Sequence, residues 1–289
     1  MRIRVHAPMI LARDLSIRHT VASGQPLAFY SHYSNGKHGE DLRYVTQAGE
    51  ISILKRSGRI SFCFSGEYTE KSAKDEIVSR LGLGDDMGEI YRNIGTDQFM
   101  EDAIKSFKGL RITRNDPWEA TLCFVISQFN NIKRIRGIMG RMIGEFGEDR
   151  GKYHAFPTPE AIASADLGAI RACGTGFRDR YIKSVAEEFA FSFDKKKLYG
   201  MGYGDAKAAL MELDGIGDKV ADCILLFGYN KLEAFPIDTW VKRIMERVYF
   251  KGRKTSIRKL HEFAAERWPG RYQGYAQQYI FWHGRENIG

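Results

Sequence analysis

Lys219 and Asp238 are the two residues whose types and spacing could do chemistry together, nineteen positions apart and each at the start of an expected helix. Residues 213–227 read Leu-Asp-Gly-Ile-Gly-Asp-Lys-Val-Ala-Asp-Cys-Ile-Leu-Leu-Phe. Lys219 falls in the first turn of the helix expected over 218–228, where a cation opposes the helix dipole. That field, and burial against Val220 and Cys223, would be expected to disfavour the protonated amine. A neutral amine is a nucleophile able to form a Schiff base. Asp238, in Ala-Phe-Pro-Ile-Asp-Thr-Trp, is placed to cap the helix that runs to Tyr249, its carboxylate held by backbone N–H groups. An anion so fixed beside a phosphate-anchored lysine could stabilise positive charge developing on a deoxyribose ring. The plain alternatives are a surface lysine that binds phosphate and an ordinary N-cap.

These residues need a scaffold. A helix over 205–213 ends at Asp214-Gly215-Ile216-Gly217, and a new helix starts at once. The glycines allow a tight turn and a close approach to another surface. Ile216 between them can plug the helix–helix core. The exposed N–H groups then form an anion site suited to a DNA phosphate. Gly-x-Gly between two helices with an apolar centre is a helix-hairpin-helix signature, a plain corner between helices being the alternative.

Upstream, Asn115-Asp116-Pro117 opens a strongly apolar helix to Phe129, with an Asx cap and proline in the first turn. Asn130-Asn131 breaks it, and 132–146 follows with Ile135, Ile138, Met139, Met142, Ile143 and Phe146 on one face. Thr158-Pro159-Glu160 caps another helix. Further helices are expected over 177–189, 238–249, 255–267 and 271–286. The first ~70 residues instead alternate apolar and polar residues between turn signals. Ile51–Leu54 and Ile60–Phe64 flank Arg56-Ser57-Gly58-Arg59 as a hairpin, with 43–46 and 26–30 as further strands. The expected fold class is α+β. An N-terminal antiparallel β-sheet domain with the first connecting helices spans 1–105, and an all-α helix-hairpin-helix domain spans 106–289.

Hydrophobic residues make up 43% and charged residues 28% of the 289, ordinary globular values that exclude a disordered or collagen-like chain. The apolar run Cys223–Phe227 is five residues long, against ~20 for a membrane span. The N-terminus has too short an apolar stretch for a signal peptide, so a cytoplasmic, nucleoid-associated protein without membrane contact is expected. The net charge of +8 hints at a polyanionic partner. The basic runs at 133–141 and 242–259 suit phosphates, although a charge run is often only a solvated face. Cys63, Cys123, Cys173 and Cys223 are too far apart for a CxxC site, which leaves free thiols as the expectation.

The chain resembles the helix-hairpin-helix DNA glycosylases, and among them the 8-oxoguanine DNA glycosylases. Lys219-Val-Ala-Asp-Cys223, the Pro-x-Asp containing Asp238 and their spacing match that family's catalytic core. Asp116-Pro117, Asn130-Asn131-Ile132, Gly174-Thr-Gly-Phe177-Arg178-Asp-Arg180-Tyr181, Gly274-Tyr-Ala-Gln277 with Phe281, and Ser23-Gly24-Gln25 match as well. The resemblance spans about residues 23 to 285.

It implies excision of 8-oxoguanine from duplex DNA after base flipping. Lys219 would attack C1′, and Asp238 would stabilise the oxocarbenium-like centre. The Schiff base would then permit β-elimination and strand nicking. The carbonyl of Gly24 would accept the N7–H that guanine lacks. Cys223 and Phe281 would sandwich the base, and Gln277 would read its Watson–Crick edge. Asn130, Asn131, Arg134, Phe177, Arg178, Gly215, Gly217 and Trp240 would contact DNA, Arg134 and Arg178 being the two arginines that in this family contact an orphaned cytosine. Two departures stand out. Phe129 replaces an Asn that contacts the orphaned base, and Trp240 replaces a His. No iron–sulfur cluster is expected, because no cysteine follows Cys223. No zinc or other metal site is expected, while the resemblance admits a monovalent cation at the hairpin carbonyls. A monomer is the simplest assembly. The rival readings are a relative that excises alkylated or other oxidised bases, against which Lys219 argues, and a non-catalytic DNA-binding protein.

Overall fold

In the computed structural model, residues 9–287 are described; the signal-peptide reading falls partly on residues 1–8, outside that range. Five strands, β1 (Ile10–Leu11), β2 (Ser31–Gly36), β3 (Gly39–Val45), β4 (Glu50–Arg56) and β5 (Arg59–Phe64), form one antiparallel sheet in the order β1-β5-β4-β3-β2. The 56–59 hairpin turns through Ser57 (φ 48°) and Gly58 (φ 72°), a left-handed pair that matches strand twist. Alternation sets the register. Leu42, Tyr44, Ile51 and Ile53 face the core, and Leu42 lies opposite Ile53.

The helices are α1 (Ile17–Ala22), α2 (Leu27–Tyr30), α3 (Glu70–Arg80), α4 (Met87–Ile94), α5 (Gln98–Ser106), α6 (Pro117–Ser127), α7 (Ile132–Phe146) and α8 (Pro159–Ala163). They continue as α9 (Leu167–Ile170), α10 (Asp179–Phe191), α11 (Lys197–Gly200), α12 (Tyr203–Met211), α13 (Asp218–Gly228), α14 (Thr239–Tyr249), α15 (Ile257–Arg267) and α16 (Gln273–Asn287). The fold is therefore α+β, a sheet followed by helices.

Three local expectations are corrected. Residues 26–30 are a short helix rather than a strand: Pro26 takes φ −52°, ψ −44°, and the carbonyls of Gln25 and Pro26 accept from the N–H groups of Ala28 and Phe29 at 2.9 and 2.8 Å. Leu27, Ala28 and Phe29 are buried in succession, which an alternating strand cannot achieve. The helix expected over 177–189 starts instead at Asp179, because Gly174 (φ 84°) and Gly176 (φ 61°) break the helical path. Phe177 and Arg178 lie in the tight turn between. The helix expected to reach Phe129 stops at Ser127, and Phe129 turns left-handed (φ 48°).

Helix α6 is buried on nearly every side and packs on α13. A β-carbon at Gly228 would lie 3.1 Å from both Ala120 Cβ and Pro117 Cα, so glycine lets the end of α13 approach α6. Asn115 closes that end, its N–H donating to Phe227 O at 2.7 Å. The chain end returns to its beginning: α16 packs on α14, α5 and α4, and Gln278 Nε2 donates to Ser23 O at 2.7 Å. The loop at Ser23–Gln25 is held from below as well. Gln25 Nε2 donates to Arg111 O (2.7 Å), and Gln25 Oε1 accepts from Thr113 N (2.7 Å).

Candidate active site

Lys219 and Cys223 stand one turn apart on α13, facing a pocket of about 170 Å³. Lys219 Nζ lies 5.3 Å from the centroid of the Phe124 ring, a cation–π contact. Phe124 itself is stacked on Phe227 at 5.4 Å, so the lysine rests on a fixed apolar floor. Asp238 caps α14, with Oδ1 accepting from Val241 N at 2.7 Å, and it lines the same pocket. That bond fixes one carboxylate oxygen.

The far wall comes from the two ends of the chain. Gln277 and Phe281 project from α16, and Gly24 from the pinned loop. Gln277 is 6% exposed, and its Oε1 is buried without a hydrogen-bond partner among the described residues. Such an orphaned acceptor costs ~1–3 kcal/mol, which a ligand N–H would offset. Gly24 takes φ 74°, and a β-carbon there would sit 3.3 Å from Ile132 Cδ1 and 3.5 Å from Phe281 Cε1. Glycine therefore brings backbone to the pocket wall. Burial pushes the Cys223 thiol up to about 11, against the opposing pull of Lys219, so Cys223 offers a neutral sulfur.

The hairpin between α12 and α13 lies beside this pocket. Gly215 takes φ 81° and packs beneath the ring of Tyr181, whereas Gly217 faces open space. Leu213 O accepts from Ile216 N at 3.1 Å, and Gly215 O accepts from Gln128 Nε2 at 3.0 Å. Two of the hairpin carbonyls are thus already engaged. Gln128 also starts the loop that carries Phe129, which is 92% exposed. An unburied phenyl forgoes ~1.5–3 kcal/mol, and its left-handed backbone costs ~1 kcal/mol more. Phe177, 56% exposed, lies 6.3 Å away between ring centroids.

The pocket thus brings together Gly24, Asn130, Asn131, Lys219, Cys223, Asp238, Trp240, Gln277 and Phe281. Arg134, Phe177, Arg178, Gly215 and Gly217 lie outside its lining. Arg134 is exposed on the first turn of α7. Arg178 is only 3% exposed, and its guanidinium donates to backbone carbonyls. Arg285 was missed by the sequence reading: it lines the pocket with its Cζ 5.9 Å from the Phe281 ring centroid. The i, i+4 spacing on α16 could have found it.

The fold also assembles a cluster that sequence separation hid. Ligand-type atoms of Asp218, Asp222 and His261 lie within 4.8 Å of one another. Lys207 Nζ bridges the two carboxylates at 2.8 and 3.0 Å, so a side-chain ammonium already meets their charge.

A glycine hairpin between two helices, beside a pocket with a lysine and a fixed carboxylate, is an arrangement that fits a base-excision DNA repair protein. The chain belongs to the HhH-GPD superfamily of base excision DNA repair proteins, whose pattern matches residues 122–270. Residues 9–121 match the 8-oxoguanine DNA glycosylase N-terminal domain. A probable N-glycosylase/DNA lyase of Methanothermobacter thermautotrophicus is 31% identical over 76% of this chain and 78% of its own length. The structure of MBOgg1 with a low-affinity DNA ligand is similar at TM-score 0.87 and 30% identity, over 97% of this chain and 96% of that one. The Clostridium acetobutylicum 8-oxoguanine glycosylase/lyase, bound to duplex DNA with cytosine opposite 8-oxoguanine, gives TM-score 0.86 and 26% identity over 100% and 99%.

Proposed function

We propose that this protein is a bifunctional DNA glycosylase and lyase that removes 8-oxoguanine from duplex DNA. The hairpin and the basic runs at 133–141 and 242–259 hold phosphates, and the damaged nucleotide is turned out of the stack into the pocket at a cost of ~a few kcal/mol. Lys219 Nζ forms a bond to C1′ as the glycosidic C1′–N9 bond breaks, and the electron pair leaves with the base. Asp238 stabilises the positive charge that develops at C1′ and the ring oxygen. Ring opening leaves a Schiff base between Nζ and C1′. Loss of a C2′ proton then expels the 3′ phosphate, and hydrolysis frees the lysine. Gln277 binds the base edge, Cys223 and Phe281 pack its faces, and the Gly24 carbonyl selects the lesion by accepting N7–H. The enzyme acts as a nucleoid-associated monomer on DNA.

The observation that carries this reading is the convergence of Lys219, Asp238 and the unpartnered Gln277 Oε1 on one pocket. Borohydride trapping on duplexes carrying one 8-oxoguanine tests it. Wild type should give a covalent complex and Lys219→Gln none. Base loss without trapping would mean a water mechanism, and trapping by the variant would misassign the nucleophile.

A further inference from the structure

The pocket holds one cation that the mechanism proposed above leaves without a role. Its lining carries Lys219, Asp238 and Arg285, and that mechanism uses only the first two. Arg285 is half-buried in the last turn of α16. Its guanidinium lies 5.9 Å from the centroid of the Phe281 ring, and among the described residues it has no hydrogen bond or ion pair. A guanidinium keeps its charge and its five N–H donors at any working pH. Here those donors are not spent on the protein, so an anion reaching this rim displaces no competing carboxylate.

Position along α16 says which anion. Gln277, Phe281 and Arg285 are spaced by four residues and share one stripe of the helix, ~12 Å long from first to last. Burial falls along that stripe. Gln277 is 6% exposed, whereas Phe281 and Arg285 are half-buried. On the excision reading the base edge meets Gln277 and the base face meets Phe281. The next part of a nucleotide, away from the base edge, is the sugar with its phosphates. The pocket mouth carries a second cation in keeping with this. Trp240, on the lining and 37% exposed, has the Arg243 guanidinium 5.9 Å from its ring.

We infer that Arg285 binds a phosphate of the flipped lesion nucleotide. The contact is charge-assisted and forms only once the nucleotide has left the stack. It therefore adds affinity for lesion DNA rather than for duplex DNA in general, and it anchors the sugar on which Lys219 acts. This inference rests on the excision reading.

Binding by a Lys219→Gln parent, which should not cut, tests it on 8-oxoguanine duplexes with a neutral methylphosphonate at the 5′ or the 3′ phosphate of the lesion. One of the two should weaken the parent by about tenfold or more. Adding Arg285→Gln should weaken binding to the all-phosphate lesion duplex by about as much and lower its salt slope by about one. It should leave affinity for undamaged duplex within about twofold. It should also abolish the sensitivity to that methylphosphonate, a non-additivity that lost packing would not produce. Arg285→Lys keeps the charge and should restore part of the sensitivity. Equal losses on lesion and undamaged duplex, or losses additive with both methylphosphonates, would overturn the inference and leave the excision reading intact. So would a parent that neither methylphosphonate weakens. Unchanged affinity with slower excision at saturating DNA, when Lys219 is present, would overturn it too and move Arg285 to the departing base. Failure of wild type to excise 8-oxoguanine from the all-phosphate duplex would overturn both.

Discussion

A β-carbon placed on Gly215 would lie 2.5 Å from Cγ of Tyr181. The ring of Tyr181 thus roofs the hairpin, and the left-handed φ of 81° bars side chains from the same position. Gly217 differs: its φ is −93°, and a β-carbon there meets nothing within 4 Å. Gly215→Ala should lower the melting temperature and weaken DNA binding together, by ~1 kcal/mol or more in stability. Gly217→Ala should melt like wild type and still bind all duplexes less tightly, because the added methyl would stand where the proposed phosphate contact is made. Calorimetry beside binding titrations on undamaged DNA separates the two. An unaltered affinity in Gly217→Ala would remove the hairpin from the DNA interface.

Asp238 has a structural duty and, on the proposed mechanism, a chemical one. Its Oδ1 accepts from Val241 N, and asparagine can keep that bond. Asp238→Asn should therefore hold stability within about 0.5 kcal/mol, whereas Asp238→Ala should lose ~1 kcal/mol of cap energy. Both should slow base removal by ~100-fold or more, because neither neutral side chain can stabilise a developing cation. Rapid-quench rates on 8-oxoguanine duplex check this, and an Asn variant with wild-type rate would leave Asp238 as a cap alone.

The four thiols should react in a fixed order. Cys63 is half-buried, while Cys123, Cys173 and Cys223 are buried. Burial holds Cys223 up to about 11 and raises Cys123 and Cys173 too. The thiolate is the reactive form, so native protein at pH 8 should be alkylated first at Cys63. Raising the pH towards 11 should open Cys223. Peptide mapping after timed iodoacetamide gives the order; rapid labelling of Cys223 at pH 7 would show a thiolate beside Lys219.

Acid should loosen the 253–256 turn. The Glu246 carboxyl is held below its usual 4.5, first by Lys242 and next by the Thr255 N–H, which donates at 2.7 Å. A depressed carboxyl lends stability that is present above its unfolded value and lost as pH falls through the folded one. Glu246→Gln should melt a few degrees lower than wild type at pH 7. The gap should close as pH falls below the usual carboxylate range, and a gap constant with pH would assign the loss to packing instead.

Local pattern alone determined much of this protein. The α7 bounds follow from the 3.6-residue period of Ile135, Ile138, Met139 and Met142, and α13 from the glycines before it. The caps at Asp116, Thr158 and Asp238 follow from side chains that satisfy the first N–H groups of a helix. The 56–59 hairpin follows from Ser57-Gly58 in a left-handed turn. Where short-range pattern was ambiguous, it misled. Pro26–Tyr30 has apolar residues that suit either period, and only the buried contacts of Leu27, Ala28 and Phe29 made it helical.

The pocket is another matter. Its walls come from Gly24, Lys219 and Gln277, far apart in the chain, and meet because α16 packs back on α4 and α5. No periodicity encodes that return. Tertiary packing alone decided that Gln277 Oε1 is left without a partner, that Lys207 lies between Asp218 and Asp222, and that Arg178 turns inward to hold Phe129. Those outcomes depend on which buried polar groups find partners once all the elements are assembled, and that is settled between elements rather than within them.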